Sequence, residues 1–90
     1  MVTRRDVVGK LKDYLHHRIS LAELVGWAED AMREEEFEEP DFEELRDVVS
    51  RLGVADVRAF GLTWEDCEGM LNRLGCRVNI EISEAPPQSR

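Results

Sequence analysis

Residues 19–32 read ISLAELVGWAEDAM, and this stretch decides the fold. Ser20 is a helix-capping side chain, and Glu23 stands three residues further on. That spacing is a capping box: the Ser20 oxygen accepts from an orphan N–H of the first turn, and the Glu23 carboxylate reaches back to the N–H of Ser20. Ile19 and Leu24 bracket the cap as a hydrophobic staple. Behind it Leu21, Leu24, Val25, Ala28, Ala31 and Met32 recur at spacings of three and four, the period of a helix that buries one face. Trp27 lies at the edge of that stripe. The pattern predicts a helix from Leu21 to about Glu35.

The same grammar recurs on both sides. Upstream, Thr3–Asp6 opens a helix running to about Arg18, with Val7, Val8, Leu11 and Leu15 inward and Tyr14 flanking them. His16, His17 and Arg18 fall in its last turn, at the negative end of the helix dipole. The short gap before Ser20 makes the first two helices an αα-hairpin. Downstream, Asp41–Glu44 opens a helix from about Phe42 to Leu52, with Phe42, Leu45, Val48, Val49 and Leu52 inward. Gly53 is expected at the left-handed C′ position of a Schellman motif, with Val54 against Val49. Thr63–Asp66 opens a fourth helix from about Trp64 to Leu74, with Cys67, Met70 and Leu71 inward. Gly75 closes it, and Cys76 is placed against Leu71. Val2 with Val7 and Leu62 with Cys67 supply two further staples. Each cap is expected to stabilise its helix by about 1 kcal/mol.

Residues 54–62 (VADVRAFGL) suit either a short helical turn, with Val54, Val57 and Phe60 on one face, or an extended piece. After Gly75 the period changes to two: Cys76, Val78, Ile80 and Ile82 alternate with Arg77, Asn79 and Glu81, the pattern of a half-buried strand. A single strand leaves its ladder unsatisfied. Residues 54–60, the same strand of another subunit, or a different protein are its possible partners. The expected fold is mainly α, a compact four-helix domain of two helical hairpins with one short C-terminal β-strand. The domain spans 1–83, and residues 84–90 (EAPPQSR) form a flexible tail.

Composition narrows the function classes. The 90 residues suffice for one domain, and 42% hydrophobic with 36% charged residues is a globular balance. The net charge of −8 is uneven. Residues 1–33 hold six basic and five acidic side chains, whereas residues 34–90 hold six and fifteen. Such a surface repels phosphate and anionic lipid and favours basic partners, so the expected partner is another protein, not nucleic acid or a membrane. The sequence shows no apolar leader and no membrane-length apolar run, and Cys67 and Cys76 are not at a metal spacing. Two reduced thiols in a cytoplasmic protein are expected.

The loudest local feature is residues 34–44, EEEFEEPDFEE, with eight acids among eleven residues. Read functionally, Glu34, Glu35, Glu36, Glu38, Glu39, Asp41, Glu43 and Glu44 form an electrostatic docking surface, with Phe37 and Phe42 as anchors. Read structurally, the acids end one helix and begin the next, and the phenylalanines cover the end of the core. Adjacent His16 and His17 point about 100° apart on a helix and do not chelate together. Gly9, Gly26 and Gly69 lie inside helices, where each costs roughly 1 kcal/mol relative to alanine. Close helix crossings explain them, and a ligand groove is the alternative. Trp27 and Trp64 are expected at the core rim or in an interface.

No phosphate loop, nucleophile elbow, HExxH or CxxC is present, so no catalytic, cofactor-binding or metal-binding residue is assigned. The leading expectation is a non-enzymatic interaction module for a basic protein. In size and charge the chain is similar to the small acidic immunity partners of basic nuclease toxins, which implies an inhibitor-like role. One alternative is a homodimer paired through Val78, Ile80 and Ile82, with Trp27 or Trp64 in the interface. The other is a small regulatory ligand-binding domain with a groove at the three helical glycines.

Overall fold

The computed structural model describes residues 1–34 and 36–83; the expected tail, residues 84–90, and Glu35 lie outside the described residues. Four helices form where the stripes place them: α1 Arg4–Leu15, α2 Leu21–Glu34, α3 Phe42–Leu52 and α4 Trp64–Arg73. A single 3₁₀ turn at Arg58–Phe60 resolves the ambiguous 54–62 stretch in favour of a helical turn.

Three of the four capping boxes are made as the spacing requires. Thr3 Oγ1 accepts from the Asp6 N–H at 3.1 Å, and Asp6 Oδ2 accepts from the Thr3 N–H at 3.0 Å. Ser20 with Glu23, and Thr63 with Asp66, close the same reciprocal pair. Asp41 does not: its side chain caps nothing. Its backbone, at φ −90° and ψ 23°, leaves the extended cap conformation that Thr3 and Thr63 adopt, and its intended partner Glu44 pairs with Arg73 on α4.

The helix ends depart from expectation more than the starts. α1 stops at Leu15, three residues short of the expected Arg18, because His17 turns to a φ of 61°. The Arg18 N–H then donates to Asp13 O at 2.8 Å and the His17 N–H to Tyr14 O at 3.0 Å. That pair of bonds is a Schellman motif with histidine at the left-handed position. α4 ends in the same motif with Gly75 at a φ of 84°, the Cys76 N–H donating to Leu71 O at 2.8 Å and the Gly75 N–H to Asn72 O at 3.0 Å. The Schellman motif expected at Gly53 is absent; its φ is −66°, right-handed. The chain instead keeps coiling through successive turns, which carries Ala55 into a buried position. The left-handed region costs a side-chain-bearing residue about 1–2 kcal/mol. His17→Gly is therefore expected to raise stability by about 1 kcal/mol, visible as a higher urea midpoint at unchanged slope.

One core draws on all four helices. Leu11, Leu24, Leu45, Val48, Val49 and Leu52 are fully enclosed, and Cys67, Met70 and Leu71 close it from α4. α2 lies most extensively along α3, and α1 touches α2, α3 and α4. α4 packs on α1 and is tied to α3 by the ion pairs Glu44–Arg73 and Arg51–Asp66. Polar bonds stitch the assembly. Arg4 Nη1 donates to Leu74 O at 2.7 Å, satisfying a carbonyl at the end of α4. Arg51 Nη1 donates to Phe60 O at 2.6 Å and its Nη2 to Gly61 O at 3.1 Å, pinning the loop before α4.

Residues 76–83 carry no strand in the single chain, so neither 54–60 nor any other described segment supplies the ladder that the alternation called for. Cys76 and Val78 pack against the core, while Ile80 and Ile82 are exposed. Strand pairing does occur elsewhere, as a single parallel bridge between Val2 and Phe37. The Val2 N–H donates to Glu36 O at 2.8 Å and the Glu38 N–H to Val2 O at 2.9 Å.

Candidate functional site

The bridge to Val2 organises the acidic run. It holds 36–38 as a straight segment, which turns Phe37 inward and leaves Glu36 exposed on the other side. Phe37 is 4% exposed and meets Phe42 edge-on, with ring centroids 5.6 Å apart at 90°. Phe37 is therefore a core residue, which corrects its reading as a docking anchor; Phe42, half-buried, is the aromatic that still reaches the surface.

The acids divide into two sets. Glu38 accepts from the Arg4 N–H at 3.3 Å, Glu44 pairs with Arg73, and Glu36 faces the amino terminus at 3.9 Å. Glu34, Glu39, Asp41 and Glu43 are exposed and make no side-chain bond within the described residues. Glu39, Asp41 and Glu43 stand around Phe42 at an open concavity of about 500 Å³, with Glu44 and Pro40 completing it. The result is an acidic rim about an accessible aromatic face, standing on a base fixed by Phe37. Glu43 and Glu44 also lie in the first turn of α3, where the dipole favours negative charge.

The residues assigned to self-association lie elsewhere. Trp27 and Val78 are half-buried against the core. Trp64, Ile80 and Ile82 remain at 38%, 58% and 92% exposure. Trp64 and Ile80 border an apolar groove between α1, α4 and residues 76–81, with a volume of about 680 Å³. Sequence reasoning missed this groove. Val8, Leu15 and Leu71 had been assigned to the core, and only the tertiary path of residues 76–81 makes them walls.

The helical glycines are not explained by close helix crossings. A Cβ on Gly9, Gly26 or Gly69 would meet nothing within 4 Å. Among the described residues no close crossing requires them.

Two groups carry shifted acidities. Backbone and hydroxyl hydrogen bonding to Thr63 holds the Asp66 carboxyl below its ordinary value of 3.8, with Arg51 at 3.4 Å adding to the effect. Burial pushes the Cys67 thiol up, and the Asp66 charge pushes it further. Each shift belongs to a structural device, a helix cap and a core thiol. Asp66 binds fewer protons folded than unfolded, so its contribution is present above the unfolded value and is lost as pH falls through the lower folded one. Asp66→Asn is expected to lower the unfolding midpoint at neutral pH, and the gap to the parent protein should close below pH about 4. Cys67 is enclosed and held protonated, whereas Cys76 is half-exposed and lines the groove. Iodoacetamide should label Cys76 in the folded protein well before Cys67, as peptide mass mapping over time would show.

Among the described residues no three His, Cys, Asp or Glu side chains gather into a metal-holding group, and no helix is long and apolar enough to cross a membrane. No family model, curated protein or solved structure matches the chain.

Proposed function

We propose that this protein is a non-enzymatic interaction module, inhibitor-like in action and cytoplasmic, whose acidic face docks a basic protein. The observation that carries the reading is the set Glu34, Glu39, Asp41 and Glu43, four exposed carboxylates with no partner among the described residues, three of them around the Phe42 ring. Internal ion pairs consume charge that a partner would otherwise meet; these four are left to act outward. Electrostatic complementarity of this kind speeds encounter and selects partners, and a buried aromatic supplies the anchor. The test is capture from a lysate on immobilised protein, with Glu34→Lys/Glu39→Lys/Asp41→Lys/Glu43→Lys as comparison. Basic proteins retained by the parent form and released by salt should be lost by the variant; equal capture by both would overturn the proposal.

A second reading, self-association, is supported by the exposed Ile80 and Ile82 on a segment whose backbone has no ladder partner among the described residues. A dimer in light scattering that Val78→Pro dissociates would favour it, since proline removes a ladder donor.

A further inference from the structure

We infer that the groove between α1, α4 and residues 76–81 binds a small anionic amphiphile, an acyl chain bearing a single carboxylate. Its walls are apolar: Val8 and Leu15 from α1, Trp64 and Leu71 from α4, Val78 and Ile80 from the returning segment. Its volume of about 680 Å³ lies in the range of ligand pockets, about 300–1,000 Å³. Trp64 at 38% and Ile80 at 58% exposure are two of the few large apolar side chains left outside the core, and both face this one cavity.

The charge at the mouth selects the occupant. In a chain of net charge −8, the groove is bordered by Lys12 and Arg77, with the imidazole of His16 beside them and Glu81 as the one acid. All four are exposed. A basic partner would meet like charge here. So would a second copy packed groove to groove, because the two-fold axis would bring Lys12 and Arg77 towards their own counterparts. An acidic macromolecule would match the rim but would have to approach a protein that repels it as a whole. A small molecule with one negative charge suffers little of that repulsion, pairs with Lys12 or Arg77, and lays its chain over Trp64 and Ile80. The groove shares no residue with the acidic concavity around Phe42.

Decanoate and 1-decanol, each below its aggregation threshold, are the probes; calorimetry gives affinity and amide chemical shifts give location. Decanoate should bind saturably at one site, shift Val8, Leu15, Trp64, Val78 and Ile80, and bind about tenfold more tightly than decanol. Lys12→Glu/Arg77→Glu should weaken decanoate binding about tenfold while leaving decanol binding intact, which also shows that the variant is folded. Non-saturable binding, equal affinity for both probes, or full decanoate affinity in the variant would overturn the inference. So would groove resonances that move on dilution without ligand, the mark of a second copy, or an acidic amphipathic peptide that displaces decanoate.

Discussion

Phe37→Ala is expected to remove about 3–5 kcal/mol of folding stability, as deletion of an enclosed aromatic does. Domains of this size are stable by about 5–15 kcal/mol, so the variant should unfold at a much lower denaturant concentration or fail to fold at 37 °C. The loss has three sources. The ring fills the end of the core beside Val2. It is also the edge-on partner of Phe42, a geometry that contributes about 0.5–1.5 kcal/mol beyond burial. Its backbone, finally, is flanked by the two bonds that tie residues 36–38 to Val2, and a cavity beneath them loosens the N-terminal segment. An anchor for a partner would behave differently, leaving stability intact and weakening only binding. Denaturation with urea, followed by tryptophan fluorescence, separates the two; a shift below 1 kcal/mol would remove Phe37 from the core.

The second large effect is a gain. Gly9→Ala, Gly26→Ala and Gly69→Ala together are expected to stabilise the protein by about 2 kcal/mol, at roughly 0.5–1 kcal/mol each. Each added methyl enters open space, so nothing opposes the reduced freedom of the unfolded chain. The three sites lie on three different helices, and their effects should add. The melting temperature should rise by about 10 °C, given about 4–8 °C per kcal/mol for a domain of this size. Gly75 is the control. Its φ of 84° suits glycine, and a Cβ there would stand 2.8 Å from the Arg4 guanidinium that caps α4. Gly75→Ala should therefore destabilise while the other three stabilise. A falling melting temperature for the triple variant would show that something covers those positions.

The helix starts were legible because their signals are local: a cap, an acid three residues on, and a stripe of period 3.6. Where a box failed, at Asp41, its backbone leaves the extended cap conformation and its partner Glu44 pairs with Arg73, 29 positions away in sequence. The ends were harder to read. Gly53 and Gly75 carry the same sequence signal, yet only Gly75 turns left-handed.

 
For Ala55 the deciding fact is tertiary: right-handed turns after α3 carry it to 2% exposure. His17 gave no signal at all, since a left-handed histidine is set by the tight connection into Ser20 rather than by its own preference. The alternation in 76–82 was read as half of a ladder. In the single chain that alternation seats Cys76 and Val78 on the core and leaves Ile80 outside. Within the acidic run, charge and exposure were legible, but the inward turn of Phe37 depends on a bridge to Val2, 35 positions away.

The docking face proposed for a basic partner is the set of acids around Phe42 that pair with nothing among the described residues. Its most direct test maps an oligolysine peptide onto the isotopically labelled protein by amide chemical shifts, at low and at high salt. The account predicts saturable shifts concentrated at Glu34, Glu39, Asp41, Phe42 and Glu43, weakened by salt and lost in Glu34→Gln/Glu39→Gln/Asp41→Asn/Glu43→Gln. Shifts spread evenly over all acidic residues, or a response unchanged in that variant, would contradict it.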